Sequence, residues 1–169
     1  MDKSNLPVVS KGLNLLFISS ILSISVIVPV LGVLGALAAS IVSVYALFTL
    51  SGCHPKFKTA IIAAACGLVL NLLSNIPFLG ILGTIGAIAS FVSTYMVCIT
   101  IDEINLEFDV PQSPNGALVW KLQLASVGGA ILGAFILPLL LIAGLVSIVA
   151  AVFYMMLLYK SSKALEAAA

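Results

Sequence analysis

Few residues of this chain have the types and spacing that chemistry requires. The one His, His54, follows Cys53 in the short stretch Ser51-Gly52-Cys53-His54-Pro55. A thiol beside an imidazole can act as a nucleophile and its base, and Cys with His can ligate zinc. Neither set is complete: no Asp or Asn stands nearby to orient the imidazole, and no C-x-x-C pair supplies further ligands. The stretch reads as a turn with an interfacial His, whose Pro-Lys-Phe-Lys continuation anchors the next helix at the inner surface. A second group is acidic: Asp102, Glu103, Glu107 and Asp109. Paired carboxylates serve acid–base chemistry or cation binding, and positions 103 and 107 share one face if the preceding helix continues that far. With Pro111, Ser113, Pro114 and Asn115 close behind, the stretch 102–116 reads instead as a solvated acidic loop, the largest water-exposed element and the place for a soluble partner. A third group is neutral: Ser23, Asn71, Ser74 and Asn75 either bond neighbouring helices or line a small polar pathway. No nucleophile, metal or cofactor set emerges, and the chain is read as non-enzymatic.

The elements that must position these groups follow from composition. Of 169 residues, 62% are hydrophobic and 8% charged, against roughly a quarter charged in a soluble domain. Water is therefore not the solvent for most of the chain. A net charge of +1 argues against nucleic acid. Three Cys cannot all pair with one another, and Cys66 and Cys98 fall within apolar stretches as small packing residues. Lys3 and Lys11 precede an apolar run holding Ala36-Leu37-Ala38, which resembles a signal peptide. The run is too long for one and recurs twice downstream, so it is read as mature structure. Residues 165–169 read as a cloning remnant.

Three apolar blocks cover about 12–52, 59–101 and 117–159. One helix of about 40 residues would be about 60 Å long, twice the hydrocarbon thickness, so each block must bend. The bends fall at Pro29, Pro77 and Pro138, which predicts helix ends at Val28, Ile76 and Leu137 and a second helix starting at each Pro. Gly32 and Gly80 follow the first two bends three residues on. The same order of Lys, apolar stretch, Pro and Tyr recurs as Lys11–Pro29–Tyr45, Lys58–Pro77–Tyr95 and Lys121–Pro138–Tyr154. Ser23 and Asn71 occupy equivalent places in the first two copies. The repeat units are about 11–52, 58–106 and 117–160.

The expected fold is an all-α integral membrane domain over 1–169: six short transmembrane helices arranged as three pseudo-repeated helical hairpins. With six spans, every Lys and every acidic residue lies on one side, which places both N and C termini in the cytoplasm. Small residues at four-residue spacing, among them Gly35 and Ala39, Gly83 and Ala87, Gly129 and Gly133, and Ser147 with its alanine neighbours, are expected to pack the helices together.

The stretch from Lys58 to Leu82, ending Ile76-Pro77-Phe78-Leu79-Gly80-Ile81-Leu82-Gly83, resembles small uncharacterised prokaryotic multi-spanning membrane proteins grouped as domains of unknown function. The Phe57-Lys58-Thr59-Ala60 start of that helix is similar too. The resemblance implies a multi-pass protein of a bacterial or archaeal cytoplasmic membrane and transfers no catalytic residue. Mitochondrial carriers share a three-hairpin plan but place acid–base motifs after each Pro, where this chain has Val, Leu and Gly. The expected partners are the lipid bilayer and a homo-oligomer or membrane-protein partner. The expected role is a channel- or transporter-like bundle for a small or apolar solute. Alternatives are a membrane-shaping hairpin protein and an accessory or immunity-type partner of a larger membrane complex.

Overall fold

The computed structural model describes residues 3–24, 29–74, 76, 78–110, 114–133 and 136–169. After a 3-10 turn at Lys3–Asn5 come six helices: α1 (Leu6–Ile24), α2 (Pro29–Ser51), α3 (Pro55–Leu73), α4 (Ile81–Glu107), α5 (Gly116–Gly133) and α6 (Leu137–Ala168). The described residues are otherwise turns and connections, with no strand. Five helices are long and apolar enough to cross a membrane, and the apolar stretch of α2, Gly35–Ser51, is shorter. Not all are short: α4 has 27 residues and α6 has 32, or about 40 and 48 Å at 1.5 Å per residue.

Each hairpin pair packs together, as α1 with α2, α3 with α4 and α5 with α6. One serine in each pair donates across it to an alanine carbonyl. Ser19 Oγ reaches Ala39 O at 2.8 Å, Ser93 Oγ reaches Ala60 O at 2.9 Å and Ser126 Oγ reaches Ala143 O at 3.2 Å. The hairpins close into a ring. Helix α2 packs on α3, α4 on α5, and α6 returns to α1. Among the described residues the single packing across the ring is α4 on α6, which leaves α5 outside a smaller ring of five. Ring closure rests on a reciprocal pair: Ser10 Oγ donates to Ser162 O and Ser162 Oγ to Ser10 O, each at 2.9 Å. Phe17 against Tyr159, with centroids 5.4 Å apart, extends the same seam.

The turns follow from local chemistry. At the start of α3, His54 is the N-cap, its Nδ1 accepting the Lys56 N–H, and Pro55 takes the first position, where no N–H is needed. Helix α4 ends in a Schellman motif: Val110 N–H donates to Asn105 O at 2.8 Å, with Asp109 left-handed at φ 51°. Asp accepts that conformation more readily than most residues. The connection expected over 102–116 is therefore shorter. Helix α4 continues through Glu107 because Ile101, Ile104 and Asn105 are buried on one face, and α5 begins at Gly116.

The bends also depart from expectation. Helix α3 ends at Leu73, not Ile76, and α4 begins at Ile81, four residues beyond Pro77. Successive turns, Ile76 N to Leu73 O and Leu79 N to Ile76 O, carry the chain between them. Helix α5 is described only to Gly133, whereas Pro29 opens α2 and Pro138 lies in the first turn of α6. Val28 and Pro77 lie outside the described residues.

At the α3–α4 bend Phe78 is fully exposed with φ 74°. A bulky side chain in the left-handed region costs about 1–2 kcal/mol. Phe78→Gly is accordingly expected to raise the melting temperature of the detergent-solubilised protein by about 3 °C. An unchanged or lower value would show that the strain is absent or that the ring itself stabilises the bend.

Burial is uneven. The core gathers the first half of α1, the ends of α2, α4 and α6, and the starts of α3 and α5. That end of the bundle also holds the ion pair of Lys56 with Glu103 and the Ser10–Ser162 seam. Leu165, set aside in the sequence as part of a remnant, is fully buried there.

Candidate functional site

A cavity of about 230 Å³ lies inside the five-helix ring, beside the core and away from the charged end. Its apolar wall includes Leu16, Leu47 and Val97, all buried. Its polar wall comes from Ser40 and Ser43 of α2, Asn71 of α3, Ser90, Ser93 and Thr94 of α4, and Tyr154 of α6. No charged side chain lines it.

The local reasons for these positions are plain. Ser40 Oγ bonds Ala36 O at 2.8 Å, Ser90 Oγ bonds Gly86 O at 3.0 Å and Thr94 Oγ1 bonds Ser90 O at 3.1 Å. A hydroxyl can sit in an apolar helix because the carbonyl four residues back takes its proton. Ser93 and Ser43 instead tie neighbouring helices, Ser93 to Ala60 O and Ser43 to Ser19 Oγ at 2.5 Å. The α3–α4 wall is held close by Gly67 and Gly86. A Cβ added at Gly67 would come 3.0 Å from Gly86 O, and one at Gly86 would come 3.0 Å from Gly67 O.

Of the expected polar pathway, Asn71 lines this cavity. Ser74 caps α3 and donates to Asn71 O at 2.7 Å, outside the cavity. Ser23 is exposed, donates to Ser19 O of its own helix and does not line this cavity. Asn75 lies outside the described residues. Ser40, Ser43 and Ser90 stand at the four-residue spacing of small packing residues, and nothing in the sequence sets Thr94 apart. The available signal was the clustering of hydroxyls on α2 and α4.

The expected packing residues separate. Gly83 meets Ser74, Gly129 meets Ala143 and Gly133 meets the Leu140 backbone, each leaving too little room for an unhindered Cβ. Ala39 is buried and Gly35 half-buried. Ala87 is exposed on α4. Ser147 lines a second cavity of about 210 Å³ between α4, α5 and α6. Gly32 lies in the first turn of α2, and Gly80 is the N-cap of α4 with open space around it. The three repeat tyrosines go to different surroundings. Tyr45 is exposed, Tyr95 packs on Trp120 at 4.6 Å and Tyr154 faces the cavity. Cys66, expected to pack, is exposed.

The acidic residues do not form one solvated face. Asp102 accepts from the Gly116 and Ala117 N–H groups, the latter at 2.8 Å, and so caps α5 from α4. A carboxylate at a helix N-terminus satisfies free N–H groups and meets the positive end of the dipole. Glu103 pairs with Lys56 and lies 3.9 Å from His54 Nε2. Glu107 and Asp109 are exposed. Both His54 nitrogens thus face groups other than a thiol, and burial pushes the Cys53 thiol up, away from a reactive thiolate. Among the described residues no three His, Cys, Asp or Glu side chains gather as metal ligands.

No family model, curated protein or solved structure matches this chain.

Proposed function

We propose that the chain is an integral protein of a bacterial or archaeal cytoplasmic membrane whose helical ring binds a small solute and lets it pass. The observation that carries this reading is the hydroxyl-lined cavity inside an otherwise apolar ring. Polar groups facing empty space in a hydrocarbon-solvated bundle cost free energy unless something fills the space. The outward faces of the helices carry Ile41, Phe48, Ile62, Ile88, Leu141 and Leu145 well exposed, a surface suited to lipid. The seven Lys lie in the turn before α1, in the first two turns of α1, α3 and α5, and in the last turns of α6, which supports a cytoplasmic placement of the charged end. The cavity is smaller than the roughly 300–1,000 Å³ of drug-sized sites, so the solute is small. The core beside it must part before solute reaches the charged side, which makes this a closed state of the pathway.

The test is osmotic swelling of vesicles containing the purified protein. Ser40→Phe, which fills part of the cavity and gives up only the Ser40 hydroxyl bond to Ala36 O while leaving the backbone hydrogen bonds of α2 intact, is expected to abolish solute entry while the protein still folds. Wild-type vesicles that swell no faster than protein-free ones for any small solute would end the reading. Orientation is tested with Phe78→Cys in a Cys-free background. The expected result is labelling of intact cells by an impermeant thiol reagent, with Glu107→Cys labelled only after permeabilisation. Failure to label at Phe78 favours a hairpin wedge confined to one leaflet.

A further inference from the structure

We infer that the ring cavity selects small uncharged solutes rich in hydrogen-bond donors. This deepens the solute-binding reading and rests on it. A hydroxyl has one proton and two lone pairs. Ser40, Ser90, Ser93 and Thr94 each give that proton to a backbone carbonyl, of Ala36, Gly86, Ala60 and Ser90 respectively. Ser19 gives its own to Ala39 O, so in the Ser19–Ser43 pair the donor is Ser43. All five serine and threonine hydroxyls on the wall have therefore spent their protons on the fold. What they offer a solute is lone pairs. Wall side chains with N–H or O–H groups beyond these are Asn71 and Tyr154.

Charge narrows the class. No Asp, Glu, Lys or His lines the cavity, so a cation would exchange its full hydration shell for a few neutral oxygens with no counter-charge, and burial of an unpaired ion is strongly opposed. An anion would meet a wall dominated by lone pairs, with side-chain donors on Asn71 and Tyr154 alone. A neutral molecule with several N–H or O–H groups meets neither penalty. Size narrows it further: about 230 Å³ is below the range of drug-sized sites. A small amide or polyol fits that space.

Three planar, Y-shaped probes of similar size separate the possibilities. Urea is neutral and donates, guanidinium donates but is charged, and nitrate only accepts. In swelling measurements on vesicles holding the wild-type protein, urea is expected to enter at least about tenfold faster than into protein-free vesicles, and guanidinium and nitrate at the protein-free rate. Ser40 and Thr94 bond only carbonyls of their own helices, so the Ser40→Ala/Thr94→Val double variant keeps the fold and loses two acceptors. It is expected to slow urea entry about tenfold. Guanidinium entering as fast as urea overturns the selection against charge, and nitrate doing so overturns the donor selectivity, as does a folded double variant with an unchanged urea rate; each leaves solute passage standing. No solute entering above the protein-free rate overturns solute passage itself. If the double variant fails to fold, the wild-type comparison of the three probes still decides.

Discussion

Replacing Gly116 by Ala is expected to lower stability by about 3 kcal/mol and the melting temperature in detergent by roughly 10 °C. A Cβ on Gly116 would overlap the Cys98 carbonyl carbon and oxygen and approach Asp102 Oδ1 at 3.0 Å. The obstruction is mainly backbone of α4, so no side chain can turn aside. Helix α5 would have to back away from α4. That movement would break the Asp102 bonds to Gly116 and Ala117, and loss of a helix cap alone costs about 1 kcal/mol. It would also loosen Phe91 and Tyr95 from Trp120. The control is Gly128→Ala. Gly128 lies within α5 with nothing within 4 Å of an added Cβ, so Ala there is expected to stabilise by about 1 kcal/mol through helix propensity. Thermal unfolding of both variants settles the matter. A Gly116→Ala protein as stable as the Gly128→Ala one would mean that α4 and α5 are not this close.

The second large effect is at Gly67. Gly67→Val places a branched side chain where a single Cβ already meets Ser90 Oγ at 2.6 Å, Gly86 O at 3.0 Å and Ser90 N at 3.2 Å. Overpacking of this kind costs about 1–3 kcal/mol. Ser90 and Asn71 line the cavity on the two helices being pushed apart, so on the proposed passage of solute, entry is expected to be lost as well. Adding Ser90→Ala removes the nearest atom but not the backbone of Gly86, so it is expected to restore only part of the stability. A double-mutant cycle on unfolding free energies reads that coupling directly. Additivity of the two substitutions would contradict the close crossing of α3 and α4.

The sequence made the hairpins legible through their breakers. Pro29 and Pro138 open helices, as the geometry of proline requires. The α3–α4 bend was misplaced because Pro77 is followed by a left-handed Phe78 and a run of turns, and nothing in Phe predicts that backbone. Gathering of charge at one end was readable from Lys spacing alone. Asn71 was legible because an amide in an apolar run stands out. The other wall residues were not. A helix apolar on every side gives no periodic signal for which face looks inward, and a serine bonded to its own helix looks the same in sequence as one facing a cavity. Asp102 was misread for a different reason. Its role depends on a turn that brings Gly116 back beside it, and an acidic run before two prolines gives no sign of that return.

The seam between Ser10 and Ser162 joins the first helix to the last. Ser10 and Ser162 stand 152 positions apart in the chain. Until α6 folds against α1, the five helices before it form an open arc. Closing the ring is therefore a contact of very long sequence separation, the kind whose loop entropy must be met before it is rewarded and which forms late in folding.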